Sequence, residues 1–196
     1  YSTPRTNMFQ HRFKLGYETG GYETFDDNTD LRSEGHTIGY GILMKLSENL
    51  KIFFSPIEYQ RQSNWSIWKK ENLFAYYDKE MVSSGLNMDW FIGDRQEIRV
   101  KGKIYGIKGK RPRPYRVNNF GYLGSSEDEI NSLELSETAF QVRYKYQFAP
   151  LSDLYIVYTR GGKYSNIQTS PFEKIYSGAW SNQNLDKFIV KLRYKL

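Results

Sequence analysis

Residues 140–148, FQVRYKYQF, alternate without a break: Phe140, Val142, Tyr144, Tyr146 and Phe148 interleave with Gln141, Arg143, Lys145 and Gln147. Successive side chains of a β-strand point to opposite faces, so this stretch predicts a strand with one apolar aromatic face and one cationic face. The pattern recurs. Phe9, His11, Phe13, Leu15 and Tyr17 share a face opposite Arg12 and Lys14. His36, Ile38, Tyr40, Ile42, Met44 and Leu46 share one opposite Lys45. A third strand runs through Leu50, Ile52 and Phe54 opposite Lys51, and its phase then slips to Ile57 and Tyr59. A bulge near Pro56 is expected there, because proline cannot donate to a strand ladder.

Further strands follow at Val82–Trp90, at Ile98–Ile104 opposite Arg99, Lys101 and Lys103, at 140–148, and at Leu154–Tyr158. The last is FIVKLRYKL, in which Phe188, Val190, Leu192, Tyr194 and Leu196 oppose Lys191, Arg193 and Lys195. This makes eight strands. Short turns are expected at Ser47–Asn49, Gly93–Arg95 and Ala149–Asp153, and long polar connections at 18–35, 61–80, 108–137 and 161–186. Such an alternation of short and long connections suits an up-and-down barrel with short turns in the periplasm and long loops outside.

Charge decides between a lipid-facing and an unspecified apolar face. The apolar positions number about 37, and none is Asp, Glu, Lys or Arg, although 26% of the chain is charged. Random placement would put roughly nine or ten charges there. Tyr17, Trp90, Tyr158 and Tyr194 near strand ends suit the aromatic girdles of a membrane barrel. The fold class expected is therefore all-β: an antiparallel up-and-down transmembrane β-barrel, with residues 1–196 as a single domain or barrel segment. The alternative is a soluble antiparallel barrel that binds a small apolar ligand.

The remaining composition narrows function more than fold. There is no cysteine, which excludes a disulfide scaffold and a cysteine zinc site. No run of 18 apolar residues is present, which excludes a transmembrane helix and says nothing of a barrel. The chain opens at Tyr1 with no charged-then-apolar leader, so an export signal is expected to have been removed or to lie upstream. The formal charge of +6 points to anionic partners.

The strand FIVKLRYKL resembles the C-terminal signature of Gram-negative outer-membrane proteins, with a terminal Leu where Phe is usual. That resemblance implies an assembly signal on Phe188, Val190, Leu192, Tyr194 and Leu196, read by the barrel-assembly machinery. FQVRYKYQFAPLSDLYIVYTRGG (140–162), FIVKLRYKL and HTIGYGILMKLSENLKIFFSPIEYQRQ (36–62) resemble one family of large, functionally uncharacterised outer-membrane proteins. In that family a family-9-like carbohydrate-binding domain precedes a C-terminal barrel. The resemblance implies the bacterial outer membrane, membrane lipid as a neighbour, and a C-terminal part of a larger barrel. The glycan-binding domain is not in this sequence, so glycan binding passes to no residue here.

No nucleophile–base pair, nucleophile elbow or phosphate-cradling glycine loop is found, so the expectation is a non-enzyme without a cofactor. Asp26, Asn28 and Asp30 in FDDNTDLRSEG alternate as calcium ligands can, but Leu31 and Thr37 stand where an EF-hand needs glycine and a carboxylate. SSEDE (125–129) reads as a solvated acidic loop. His11 and His36 fall on the apolar face without converging partners, as interfacial side chains. KGKRPRP (108–114), the densest basic run, reads as an external loop rather than a nucleic-acid site.

The lumen face carries Arg12, Lys14, Lys45, Lys51, Arg99, Lys101, Lys103, Arg143, Lys145, Lys191, Arg193 and Lys195, with only Asp89 and Glu97 counted against them. A closed eight-stranded barrel has an interior just filled by side chains, and unpaired buried ions each cost several kcal/mol. The strands are therefore expected to form an open arc, completed by further strands or a partner, around a lumen that attracts an anionic solute or an acidic glycan.

Overall fold

A computed structural model describes residues 8–20, 31–168 and 170–195. It is an all-β, antiparallel, up-and-down sheet. The strands are β1 (Phe9–Gly20), β2 (Ser33–Lys45), β3 (Leu50–Lys70), β4 (Leu73–Ile92), β5 (Gln96–Val117), a short β6 (Leu123–Ser125), β7 (Leu133–Ala149), β8 (Ser152–Asn166) and β9 (Gln183–Arg193). One helix, α1 (Phe172–Ser181), joins β8 to β9. The order across the sheet is β1-β2-β3-β4-β5-β7-β8-β9, with β6 beside β5. Among the described residues no pairing joins β1 to β9, so both are edges.

The register brings the alternating faces into line. Leu15, Ile38 and Tyr59 are paired in turn across β1, β2 and β3. Met88, Val100, Val142, Tyr158 and Phe188 form a continuous row across β4, β5, β7, β8 and β9. The phase slip expected near Pro56 is present: pairing shifts between Ser55 and Glu58, which carries Ile57 and Tyr59 onto the apolar face. Gly41 tolerates this bulge because a Cβ there would lie 2.8 Å from the Pro56 backbone nitrogen.

The short turns lie where expected, at 46–49, 93–95 and 150–151. The long connections differ. Residues 61–70 and 73–80 are not a loop but continue β3 and β4 to a two-residue turn at Glu71–Asn72. Residues 108–117 likewise continue β5, and 133–137 begin β7. The KGKRPRP run is thus a strand stapled by carboxylates: Lys110 meets Glu80 at 2.8 Å, Arg113 meets Asp78 at 3.0 Å, and Arg111 also contacts Asp78. A protease that needs an extended, unpaired segment has no easy site there.

Apolar packing is inverted relative to a soluble sandwich. The buried hydrophobic residues, among them Leu31, Leu73, Tyr76, Tyr77 and Tyr115, gather in the distal half, beyond the apolar rows. The apolar rows are half-buried on the central strands and exposed toward the edges, up to 81% for Leu15. β6 closes the distal core, and the following segment is held by Arg116, whose Nε and Nη2 donate to the Asp128 carboxylate at 2.6 and 2.7 Å. The Arg116 hydrogen bonds, seconded by the Ser126 hydroxyl, push the Asp128 carboxyl down to about 2. The folded value lies below that of the free side chain, so this tie is intact above about pH 4 and is lost as pH falls through the folded value. A carboxyl titration followed by NMR should place the Asp128 midpoint near 2 in the parent chain. In Arg116→Ala it should rise toward about 3.9.

Candidate functional site

A cavity of about 640 Å3 lies on the polar face and collects residues from six strands, from Ser55 of β3 to Leu185 of β9. We take this polar face, where the cavity spans six strands, as the concave side of the sheet and the apolar face as the convex side.

Outward, the apolar positions give way to charge along a defined line. Arg61, Glu80, Lys108 and Glu134 are register neighbours across β3, β4, β5 and β7; they follow the apolar positions directly on β3 and β4, and after Gly106 on β5 and Thr138 and Ser136 on β7. Glu80 sits 3.9 Å from Arg61 and 2.8 Å from Lys110. On β8 and β9 charge begins nearer the short turns: Arg160 pairs with Asp186 in the row of Phe140. On β7 the apolar stretch between this line and the short turns is Phe140–Phe148. Nine residues rising about 3.4 Å each and tilted by about 40° span roughly 23 Å.

Helix α1 lies on this same convex face, over the distal half. Its Phe172, Ile175, Tyr176 and Ala179 recur at helical spacing, and Ile175 and Ala179 are buried. Glycines make the seat: a Cβ at Gly106 would lie 2.6 Å from the Tyr176 ring, and one at Gly162 would collide with the Ala179 carbonyl. Lys108 extends under Phe172, 4.1 Å from the ring centroid. At the helix end Trp180 packs edge-on to Phe140, and the Arg160 guanidinium stands 4.5 Å over the indole. An aromatic side chain capped by a cation therefore marks the border between the apolar band and the charged distal half.

The concave face has three zones. At the short-turn end, carboxylates clamp the cations. Asp153, only 1% exposed, meets Arg193 at 2.6 Å and Lys145 at 3.3 Å. Glu97 takes Arg143 at 2.9 Å and also contacts Arg99, whose Nε lies 3.3 Å from Asp89. At the first edge, Lys14 meets Glu58 at 2.8 Å and Arg12 lies over the Phe53 ring at 5.1 Å. At the distal end, Glu137 bonds Tyr105 and meets Lys163 at 3.2 Å. Four acids, Glu18, which accepts from Gln60 Nε2 at 2.6 Å, Glu58, Glu137 and Asp153, thus join Asp89 and Glu97 on this face. Glu58 is brought in by the Pro56 bulge, and Asp153 belongs to the strand rather than to the turn.

The middle zone is different. Lys101 and Lys103 are exposed and have no acidic partner among the described residues, as do Lys45, Lys51, Lys191 and Lys195 nearer the short turns. Lys103 stands in a row of small residues, Ser55, Gly85, Ala139 and Gly161. Lys101 shares its row with Asn87, Gln141 and Thr159, and that row ends at Lys187, a basic position the sequence reading did not include. The alternation signal of Ile189, Lys191 and Arg193 extends back to Lys187 and could have found it.

The histidines remain among aromatics: His11 Nδ1 lies 2.7 Å from the Tyr40 hydroxyl, and His36 lies beside Tyr17. Among the described residues no three His, Asp or Glu side chains converge as metal ligands. Asp26, Asn28 and Asp30, and Leu196 of the assembly signal, lie outside the described residues.

No family model matches this chain, and neither curated proteins nor solved structures supply a match.

Proposed function

We propose that this chain is an outer-membrane β-barrel, or the C-terminal arc of a wider one, that acts as a pore or membrane anchor with a cationic lumen. It works by passage or binding rather than catalysis. One observation carries the reading: an apolar band that spans about 23 Å on β7, continues in register across the sheet, stands exposed on the edge strands and gives way to charged residues distally. Bacterial barrels present an outward apolar band about 25 Å tall, flanked by aromatics. The soluble alternative calls for the opposite arrangement, with apolar side chains around the cavity and polar ones outside. The resemblance of the strands to outer-membrane proteins with an upstream carbohydrate-binding-like domain points the same way, and it suggests a link to glycan handling through that domain.

The chain has no cysteine, so single cysteines accept a fluorophore at one place only. In vesicles of brominated phospholipid, labels at Ile38, Val142 and Val190 should be strongly quenched, and labels at Gln141 and Lys163 should not. Equal quenching at all five, or none, would overturn the reading.

A further inference from the structure

We infer that the middle of the concave face is a station for an oxyanion-bearing solute, a carboxylate or phosphate ester, gripped by Lys101 and Lys103. Asn87, Gln141 and Thr159 are its neutral partners. This deepens the proposed lumen and rests on it.

Three observations converge. The first is space: Ser55, Gly85, Ala139 and Gly161 keep the row around Lys103 low, and the cavity of about 640 Å3 lies in the range that holds small organic ligands. The second is charge. The carboxylates on this face are engaged elsewhere: Glu18 by Gln60, Glu58 by Lys14, Asp89 by Arg99, Glu97 by Arg99 and Arg143, Asp153 by Lys145 and Arg193, and Glu137 by Lys163. Lys101 and Lys103 are left two residues apart on one face, their Cα atoms about 7 Å from each other. Each repels the other until an anion lies between them.

The third is donor chemistry. The Thr159 hydroxyl oxygen accepts from Gln141 Nε2 at 3.3 Å, which leaves its own O–H free to donate into the cavity. Three-donor ammonium groups beside hydroxyl and amide donors suit a ligand with several oxygens. The choice of lysine matters. A flexible point charge holds an oxyanion less rigidly than the bidentate fork of arginine, and a conducting site must also release what it binds. Arg99, Arg143 and Arg193 of this face are locked to carboxylates and Arg12 is stacked on Phe53, whereas the free cations of the middle zone are lysines.

The test uses the full chain in detergent micelles and in planar bilayers, with inorganic phosphate and citrate as probes. Calorimetry in micelles should show saturable binding of at least one probe, weakened tenfold or more in K101Q/K103Q and restored in K101R/K103R. The charge-matched control K70Q/K174Q, with both changes outside the cavity, should stay within about twofold of the parent. Chloride conductance of the parent should be partly blocked by the same probe, and that of K101Q/K103Q should not. Equal binding by the parent and K101Q/K103Q, or an equal loss in K70Q/K174Q, would overturn the station. Conductance without lysine-dependent binding removes the station and leaves the pore. Lysine-dependent binding in micelles from a chain that never conducts leaves the station and removes the pore.

Discussion

Replacing Val142 with Arg should cost about 2–4 kcal/mol in urea unfolding from lipid vesicles, while Gln141→Arg should cost less than about 0.5 kcal/mol. Val142 is flanked by Val100 and Tyr158, near the middle of the β7 apolar stretch and on the convex face. On the convex face neither neighbouring strand offers an acid near Val142, so on the proposed reading an arginine there meets hydrocarbon at the depth where a cation is least tolerated. Gln141 is one residue away and exposed on the concave face, where an added cation keeps its water. The contrast between adjacent positions is the informative quantity. Leu192 is a weaker test of depth, because its row partners Leu154 and Tyr146 lie toward the short-turn rim and β9 is an edge. Comparable costs at 141 and 142 would mean that the two faces do not meet different media.

Gly162→Val should lift α1 off the sheet. The backbone of Ala179 occupies the space a side chain at 162 needs, and a backbone cannot rotate away as a side-chain tip can. Overpacking of this kind typically costs about 1–3 kcal/mol. Undocking also removes the contacts of Ile175 and Ala179 and separates Trp180 from Phe140 and Arg160. The expected readout is a change in tryptophan emission together with faster amide exchange across 172–181, with the strands near the short turns unaffected. Gly161→Ala is the matched control: that position turns to the concave face, and its nearest neighbours, Asn184 Oδ1 at 3.3 Å and Leu185 Cβ at 3.4 Å, are side-chain atoms. Unchanged exchange in the helix of Gly162→Val would show that the glycine is not what seats it.

The parts of this fold that were legible in the sequence are those where the two strand faces meet different surroundings. Phe140–Phe148 alternates because one side is apolar and the other charged, and the same contrast fixed the phase of every strand near the short turns. Pro56 marked its own bulge. Beyond Arg61, Glu80 and Lys108 both faces carry polar groups, so SNWSIWKKENLFAYYDKE has no apolar-polar contrast to read, and its pattern predicts a loop where the chain forms strands. Their stability comes instead from long-range ladder pairing and from ion pairs such as Arg113–Asp78, which a local pattern does not encode. The helix did carry its signal, Phe172, Ile175, Tyr176 and Ala179, but ten residues with an internal glycine are too few to stand out from a polar stretch. The candidate site was legible as a cationic face but not as three zones. Separating clamped from free lysines required knowing that the bulge turns Glu58 inward and that Asp153 faces Arg193.

The two open edges bear on how such a sheet could ever reach its final state. β1 and β9 are 12 and 11 residues long, and among the described residues neither has a strand paired on its outer side. In hydrocarbon a backbone group left without a partner costs several kcal/mol. On the proposed reading an open arc is therefore a half-finished wall: it enters lipid only as its edges are sealed, by further strands or by second copies of the chain, and the vesicle and bilayer tests measure that sealed state. Insertion and completion are then one thermodynamic event.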